Sequence, residues 1–195
     1  MGVDVDQLDA GCSIRELNDK GIEIQNISST FSLPGEFDIS KLASDLPYSE
    51  HDPDKHRSLI YRPPEVDAVI LLPPRGRVSI TGVPCGDRIH DGIDQFISDL
   101  DAIGVEKTAS DIQVENTVAT ADMGESINLY LLSMSLGLEK TEYEPEQFPG
   151  LIYRTEKGVF LVFSSGKIVI TSVETYSRLS EAHEMVKTDL SKAES

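Results

Sequence analysis

The stretch YEPEQFPGLIYR, residues 143–154, closes on Leu151-Ile152-Tyr153-Arg154, a tetrapeptide that the chain has already used at Leu59-Ile60-Tyr61-Arg62. Outward from it the echoes continue in the same order. Asp52-Pro53-Asp54 returns as Glu144-Pro145-Glu146, Ile24-Gln25-Asn26-Ile27 as Val114-Glu115-Asn116-Thr117, and Gly76-Arg77-Val78 with Thr81 as Gly166-Lys167-Ile168 with Thr171. Asn26 and Asn116, Gly76 and Gly166, and Thr81 and Thr171 are each 90 residues apart, whereas Pro53 and Pro145, and Arg62 and Arg154, are 92 apart. One copy therefore carries a small compensating change of length, and the chain holds two copies of one unit.

Each copy predicts the same order of elements. A strand at 22–31, and again at 111–121, leads into an amphipathic helix. Its apolar stripe is read as Ile39, Leu42, Ala43 and Leu46 in the first copy and Ile127, Tyr130, Leu131 and Met134 in the second, with Asp38 as N-cap. Strands follow at 57–62, 67–72 and 77–82, then at 150–155, 159–163 and 167–172, separated by turns containing Pro or Gly. A second helix closes each copy, with Ile89, Ile93, Phe96, Ile97 and Leu100 on one stripe and Tyr176, Leu179, Ala182, Val186 and Leu190 on the other. The class is α+β. Little pattern is visible at 1–20 and 191–195, so the expected division is a tail at 1–20, a first repeat at 21–106, a second at 107–190 and a tail at 191–195.

With 195 residues, 39% of them hydrophobic, the chain can bury one good core or two fused halves. No apolar run approaches the roughly 20 residues of a membrane span, and the start MGVDVDQLDA has neither the positive nor the apolar region of a signal peptide, so an intracellular, non-membrane protein is expected. Cys12 and Cys85 lack CxxC spacing and suit a reducing compartment. The run HDPDKH, residues 51–56, has the residue types of a hard-metal cluster, but its counterpart YEPEQF contains no histidine. It is read as an acidic turn, with no metal and no cofactor. No Ser/His/Asp set and no phosphate-binding glycine loop points to an enzyme. A formal net charge of −17 argues against nucleic acid by itself, because long-range repulsion opposes the approach.

Residues 143–154, with LVFSSGKIVIT at 161–171, closely resemble the second repeat of archaeal and eukaryotic TATA-binding proteins. The resemblance spans about residues 20–190 and is stronger in the second repeat. It implies a saddle: ten strands in one curved antiparallel sheet, four helices on its convex back, and double-stranded promoter DNA against the concave face. It also implies transcription initiation at A·T-rich TATA boxes, DNA bending, recruitment of transcription factor B and, through it, RNA polymerase, and a homodimer through the concave sheet when DNA is absent.

Strand parity agrees with that implication, since residues two apart share a face. Asn116 with Val118, Leu161 with Phe163, and Val169 with Thr171 fall on the implied DNA-contacting side. Asparagines suit the acceptors common to A·T and T·A pairs in the minor groove. In this family apolar side chains wedge between base steps and kink the duplex; Phe148 and Phe163 occupy those positions. Arg154, Ser165 and Lys167 flank them, where phosphate oxygens are expected. Glu144, Glu146 and Gln147 lie on the loop that in the family receives transcription factor B.

The first repeat departs from this pattern. His56 and Pro73 stand at its wedge positions, and Ser28 and Ser79 replace Val118 and Val169. Asn26, Leu71 and Thr81 remain, with Arg62, Arg75 and Arg77 as expected phosphate contacts. The first half of the DNA face is thus expected to be more polar and to kink DNA less. The acidic charge is expected to suit a cell with concentrated internal salt, where the Debye length falls to about 3 Å at 1 M and remote repulsion is screened.

Overall fold

Capping chemistry gives the N-terminal segment more structure than its composition suggests. In the computed structural model of the chain, which describes residues 2–193, β1 covers Val3–Asp4, a 3-10 turn spans Val5–Gln7, and α1 runs Ile14–Asp19. The Ser13 side chain accepts from the Glu16 N–H at 3.3 Å, and the Ser13 N–H donates to the Glu16 carboxylate at 2.7 Å. This reciprocal box satisfies two donors that a helix start leaves open. Leu17 is fully buried. The segment expected to be a tail at 1–20 is therefore structured from Val3 to Asp19, and Ser13 with Glu16 is the sequence signal for it.

The first repeat then runs β2 (Glu23–Ser32), α2 (Ile39–Asp45), β3 (Ser49–Glu50), β4 (Leu59–Tyr61), β5 (Val69–Leu72), β6 (Arg77–Val83) and α3 (Gly86–Ala102). The second runs β7 (Ser110–Asp122), α4 (Leu129–Leu136), β8 (Thr141–Glu142), β9 (Leu151–Thr155), β10 (Gly158–Val162), β11 (Lys167–Val173) and α5 (Tyr176–Ala193). The tail expected at 191–195 is helical through Ala193, and its last two residues lie outside the described ones. Among the described residues there are five helices, one more than expected, because α1 is added to two per repeat.

The described chain forms two compact units. One joins Asn26–Glu115 to the segment ending at Leu8; the other joins Asp9–Gln25 to the chain from Asn116 onward. In the first the strand order is β3-β4-β5-β6-β2, and in the second β8-β9-β10-β11-β7, antiparallel throughout. β1 pairs with β7 through Val3 and Val114.

The strands of each unit present one core face and one open face. Along β2, Ile27, Ser29 and Phe31 are buried, while Asn26, Ser28 and Thr30 are half-buried on the other side. The core faces meet the long helices through Ile89, Ile93, Phe96 and Leu100 of α3, and through Tyr176, Leu179, Ala182, Val186 and Leu190 of α5, all buried as their periodicity predicts. A tyrosine on the third strand of each repeat reaches its helix: Tyr61 donates to Asp99 at 2.6 Å and Tyr153 to Asp189 at 3.0 Å. Burial first, and then the neighbouring carboxylate, pushes the Tyr153 hydroxyl up to about 12, so it stays a donor.

The short helices begin alike. Asp38 accepts from the Lys41 N–H and Asn128 from the Leu131 N–H, each at 3.1 Å. Equal starts impose equal faces, so Ile39 and Leu42 correspond to buried Leu129 and Leu132. The expected stripe of α4 is corrected by this register: Ile127 is buried ahead of the helix, but Tyr130, Leu131 and Met134 are 64%, 59% and 58% exposed. Six of the eight residues of α4 are apolar, which hid its period. Among the described residues no helix is long and apolar enough to cross a membrane.

Candidate nucleic-acid interface

The asparagine of each open face is held by a bulge in the neighbouring strand. Between β2 and β6 the register shifts around Ile27–Ser29, and between β7 and β11 around Ile170–Val173. The bulged residues are Gly82 at φ 98° and Ser172 at φ 63°. Each turns its backbone N–H outward: Gly82 donates to Asn26 Oδ1 at 2.7 Å and Ser172 to Asn116 Oδ1 at 2.8 Å. A backbone N–H can only donate, so it fixes the flip of each amide and makes Nδ2 the donor end. Gly82 and Ser172 orient the two candidate asparagines, a role that strand parity alone does not reveal. The glycine directly after Thr81 is the visible trace of one; Ser172 leaves none.

Around these amides the two repeats differ. Asn116 rests against Thr171 Oγ1, which lies 3.2 Å from both its oxygen and its nitrogen, with Val118 beside it. Asn26 donates to Ser28 Oγ at 3.2 Å, Ser28 Oγ lies 2.9 Å from Thr81 Oγ1, and Thr81 donates back to Asn26 Oδ1 at 3.2 Å. One strand further, Leu161 faces Val169 and Val169 faces Thr120, whereas Leu71 faces Ser79 and Ser79 faces Thr30. All of these residues lie on the open faces.

At the end of the second sheet, Phe148 and Phe163 meet edge to face with centroids 5.8 Å apart, both half-buried. Gly150 makes the contact geometrically feasible, since a Cβ there would come within 2.7 Å of the Phe148 ring. In the first repeat Pro73 and His56 are likewise half-buried, but His56 meets His51, 6.1 Å away, and not Pro73. Both imidazole Nδ1 atoms lie against the Ser58 carbonyl, at 2.8 Å for His56 and 3.2 Å for His51. Ser58 stands where the second repeat has Gly150, and the smaller ring tolerates it.

The cations are mostly engaged. Arg62 pairs with Glu50 at 2.5 Å and Arg154 with Glu142 at 3.7 Å, the same edge contact in both repeats. Arg75 meets Glu36 at 3.1 Å. Arg77 is held by the Asp111 carboxylate and carbonyl and by Thr30, to whose Oγ1 it donates at 2.9 Å. Arg62, Arg75 and Arg77 of the first repeat are thus each matched by a carboxylate. Such exposed pairs hold by only about 0–1 kcal/mol, so a phosphate oxygen can replace the partner. Lys167 has no ion-pair partner among the described residues. It lines, with Phe163, Ser165 and Val169, an open depression of about 680 Å³.

The loop tips share one turn. Gln147 and Phe148 donate to the Glu144 carbonyl, each at 2.9 Å, as Lys55 and His56 do to that of Asp52 at 3.1 and 3.0 Å. The Glu144 and Gln147 side chains bond to each other, and Glu144, Glu146 and Gln147 are all exposed. Lys55, at the place of Gln147, pairs with Asp52 at 2.9 Å and holds its carboxyl below the usual range. Among the described residues no group of three or more His, Cys, Asp or Glu is arranged to hold a metal ion.

Known proteins share this fold and much of this sequence. The family described as transcription factor TFIID, or TATA-binding protein, matches residues 21–103 and 111–193. The TATA-box-binding protein of Picrophilus torridus is 42% identical over 174 residues, covering 88% of this chain and 95% of that one. TATA-box-binding protein 2 of Haloferax volcanii is 41% identical over 153 residues, covering 77% of this chain and 82% of its own. Among solved structures, that of the Methanococcus jannaschii protein superimposes with a TM-score of 0.75 at 31% identity, over 88% of this chain and 98% of that one. The α+β fold expected from the sequence resemblance is borne out by that superposition.

Proposed function

The chain belongs to the TATA-binding protein family, and on that premise we propose that it is a transcription initiation factor whose open sheet faces lie in the minor groove of A·T-rich promoter DNA. The observation that carries the reading is the pair of asparagines. Each has its oxygen engaged by a backbone N–H, and its nitrogen, which gives one hydrogen to the hydroxyl of Ser28 or Thr171, keeps a second one for a ligand. Two such donors fit a groove in which A·T and T·A pairs present only acceptors. Val118, Leu161, Val169 and Thr171, with Leu71 and Thr81 in the first repeat, supply contact to sugars and base edges. Arg62, Arg75, Arg77, Arg154, Ser165 and Lys167 meet phosphates.

Phe148 and Phe163 act as the wedge. Completing the burial of two half-exposed rings contributes about 2–3 kcal/mol, of the order of the few kcal/mol that one unstacked step costs. His56 and Pro73, one polar and one small, offset less. That asymmetry favours a second reading, a factor that bends DNA weakly and works chiefly through protein contacts. A fluorescence-transfer measurement of duplex end-to-end distance separates the two.

The charge of −17 supports a reading in which binding occurs in concentrated salt, with contact burial in place of phosphate attraction as the main driving force. Affinity for an A·T-rich duplex is expected to hold or rise as KCl increases to about 1 M. A steep fall in that titration, or equal affinity for a G·C-rich duplex, would sink the reading. Glu144, Glu146 and Gln147 form the site for transcription factor B, which brings RNA polymerase. Reversing both charges, Glu144→Arg with Glu146→Arg, is expected to abolish the ternary complex and spare DNA binding; an unchanged ternary complex would remove this assignment.

A further inference from the structure

We propose that the first repeat's open face accepts a hydrogen bond from the minor-groove amino group of guanine, so that the DNA half under this repeat takes G·C pairs that the second repeat rejects. The inference rests on the minor-groove reading and adds a base preference for each half.

The argument is one of hydrogen-bond direction. Gly82 donates to Asn26 Oδ1, so Asn26 Nδ2 must donate to Ser28 Oγ. Thr81 gives its hydroxyl hydrogen to Asn26 Oδ1, which leaves the Ser28 hydroxyl to donate to Thr81 across 2.9 Å. The three side chains close a ring that runs in one sense only, and each member polarises the next. Both hydroxyl hydrogens are spent inside it. What Ser28 and Thr81 have left is lone pairs, so as donor or acceptor they can act only as acceptors.

A neighbouring hydroxyl widens this acceptor surface. Ser79 sits between Leu71 and Thr30 on the open face, and its hydroxyl has no partner among the described residues. The second repeat places the methyl groups of Val118 and Val169 at these two positions.

Base pairs sort accordingly. The minor-groove edges of A·T and T·A carry acceptors alone, and G·C adds one donor, the guanine N2 amino group. Packed dry against valine, that donor loses its water and gains nothing, the costly way to bury a polar group. Against Ser28 or Ser79 it is satisfied, whereas an adenine or thymine acceptor facing the Ser28 lone pairs is not.

Near-symmetric duplexes with G·C in neither, one or both halves test this, because the two repeats can exchange halves on such a site. For the full chain, one G·C pair is expected to cost less than about threefold in affinity, and one in each half about tenfold or more. Inosine, which lacks the amino group, should abolish the second penalty. Ser28→Val with Ser79→Val should incur the tenfold cost already at the first G·C pair, and Val118→Ser with Val169→Ser should tolerate two. Equal single-pair penalties in the natural chain and the double-valine variant, or an inosine duplex bound no better than its guanine parent, overturn the proposal alone. Failure to prefer the all-A·T duplex over a G·C-only one overturns the minor-groove reading and this inference with it.

Discussion

The loop at 143–150 and the loop at 51–58 turn on the same pair of backbone bonds to the carbonyl of Glu144 or Asp52, yet they end in different chemistry. One closes over Gly150 to set Phe148 edge to face against Phe163; the other replaces that glycine with Ser58 and ties two imidazoles to its carbonyl. The backbone turn needs only an acidic residue ahead of a proline and a free carbonyl. What the turn presents is a separate choice, made by the size of residue 150 or 58 and by the ring opposite. The fold has therefore been kept while the side chains it presents on the proposed DNA side have changed between two copies of one unit.

The widest gap is expected in DNA binding. Phe148→Ala with Phe163→Ala should weaken binding to an A·T-rich duplex by about two orders of magnitude, as for paired aromatic anchors. His56→Ala with Pro73→Ala should cost under about tenfold. Equal losses in a fluorescence-anisotropy titration would mean that both loops wedge alike.

A smaller contrast lies in the long helices, where buried His183 stands at the place of Ile93. Burial lowers the pKa of His183 from 6.5, Glu184 opposes the shift, Lys187 and Lys20 add to it, and Nδ1 has no partner among the described residues. The unfolded chain then binds the proton more readily than the folded one. Stability is full above pH 6.5 and falls as pH drops from there toward the lowered value. His183→Ile should flatten thermal stability across that window, and a slope unchanged from the natural chain would assign it elsewhere.

The smallest contrast is in the bulges. Gly82→Ser should cost about 1–2 kcal/mol, because a side chain is forced to positive φ. Ser172→Gly should recover up to about 1 kcal/mol, seen as a shift of about 2–4 °C in the melting temperature. Matching shifts of one sign would show that the two bulges are not equivalent.

Much of this was legible in the chain. The internal repeat, the Asp38 cap, the stripes of α3 and α5 and the strand faces all rest on spacings of two to four residues or on direct self-comparison, whereas the wedge positions came from the family resemblance alone. Composition misled where it was uniform: the apolar run of α4 offers several stripes, and only the Asn128 cap and the sheet beneath choose Leu129 and Leu132 over Tyr130, Leu131 and Met134. The arginines, too, read as free cations until their carboxylate partners, up to 39 residues away in sequence, appear beside them.

The sequence by itself determined that there are two copies, which side of each strand is apolar, and that His56, Pro73, Ser28 and Ser79 stand in one where Phe148, Phe163, Val118 and Val169 stand in the other. Tertiary structure decided which end of each asparagine is held by the backbone and in which sense the Asn26, Ser28 and Thr81 ring runs. The reason is that these depend on a backbone N–H delivered by a bulge 56 residues away in the chain, and a hydrogen bond acquires direction only when both partners have been brought together.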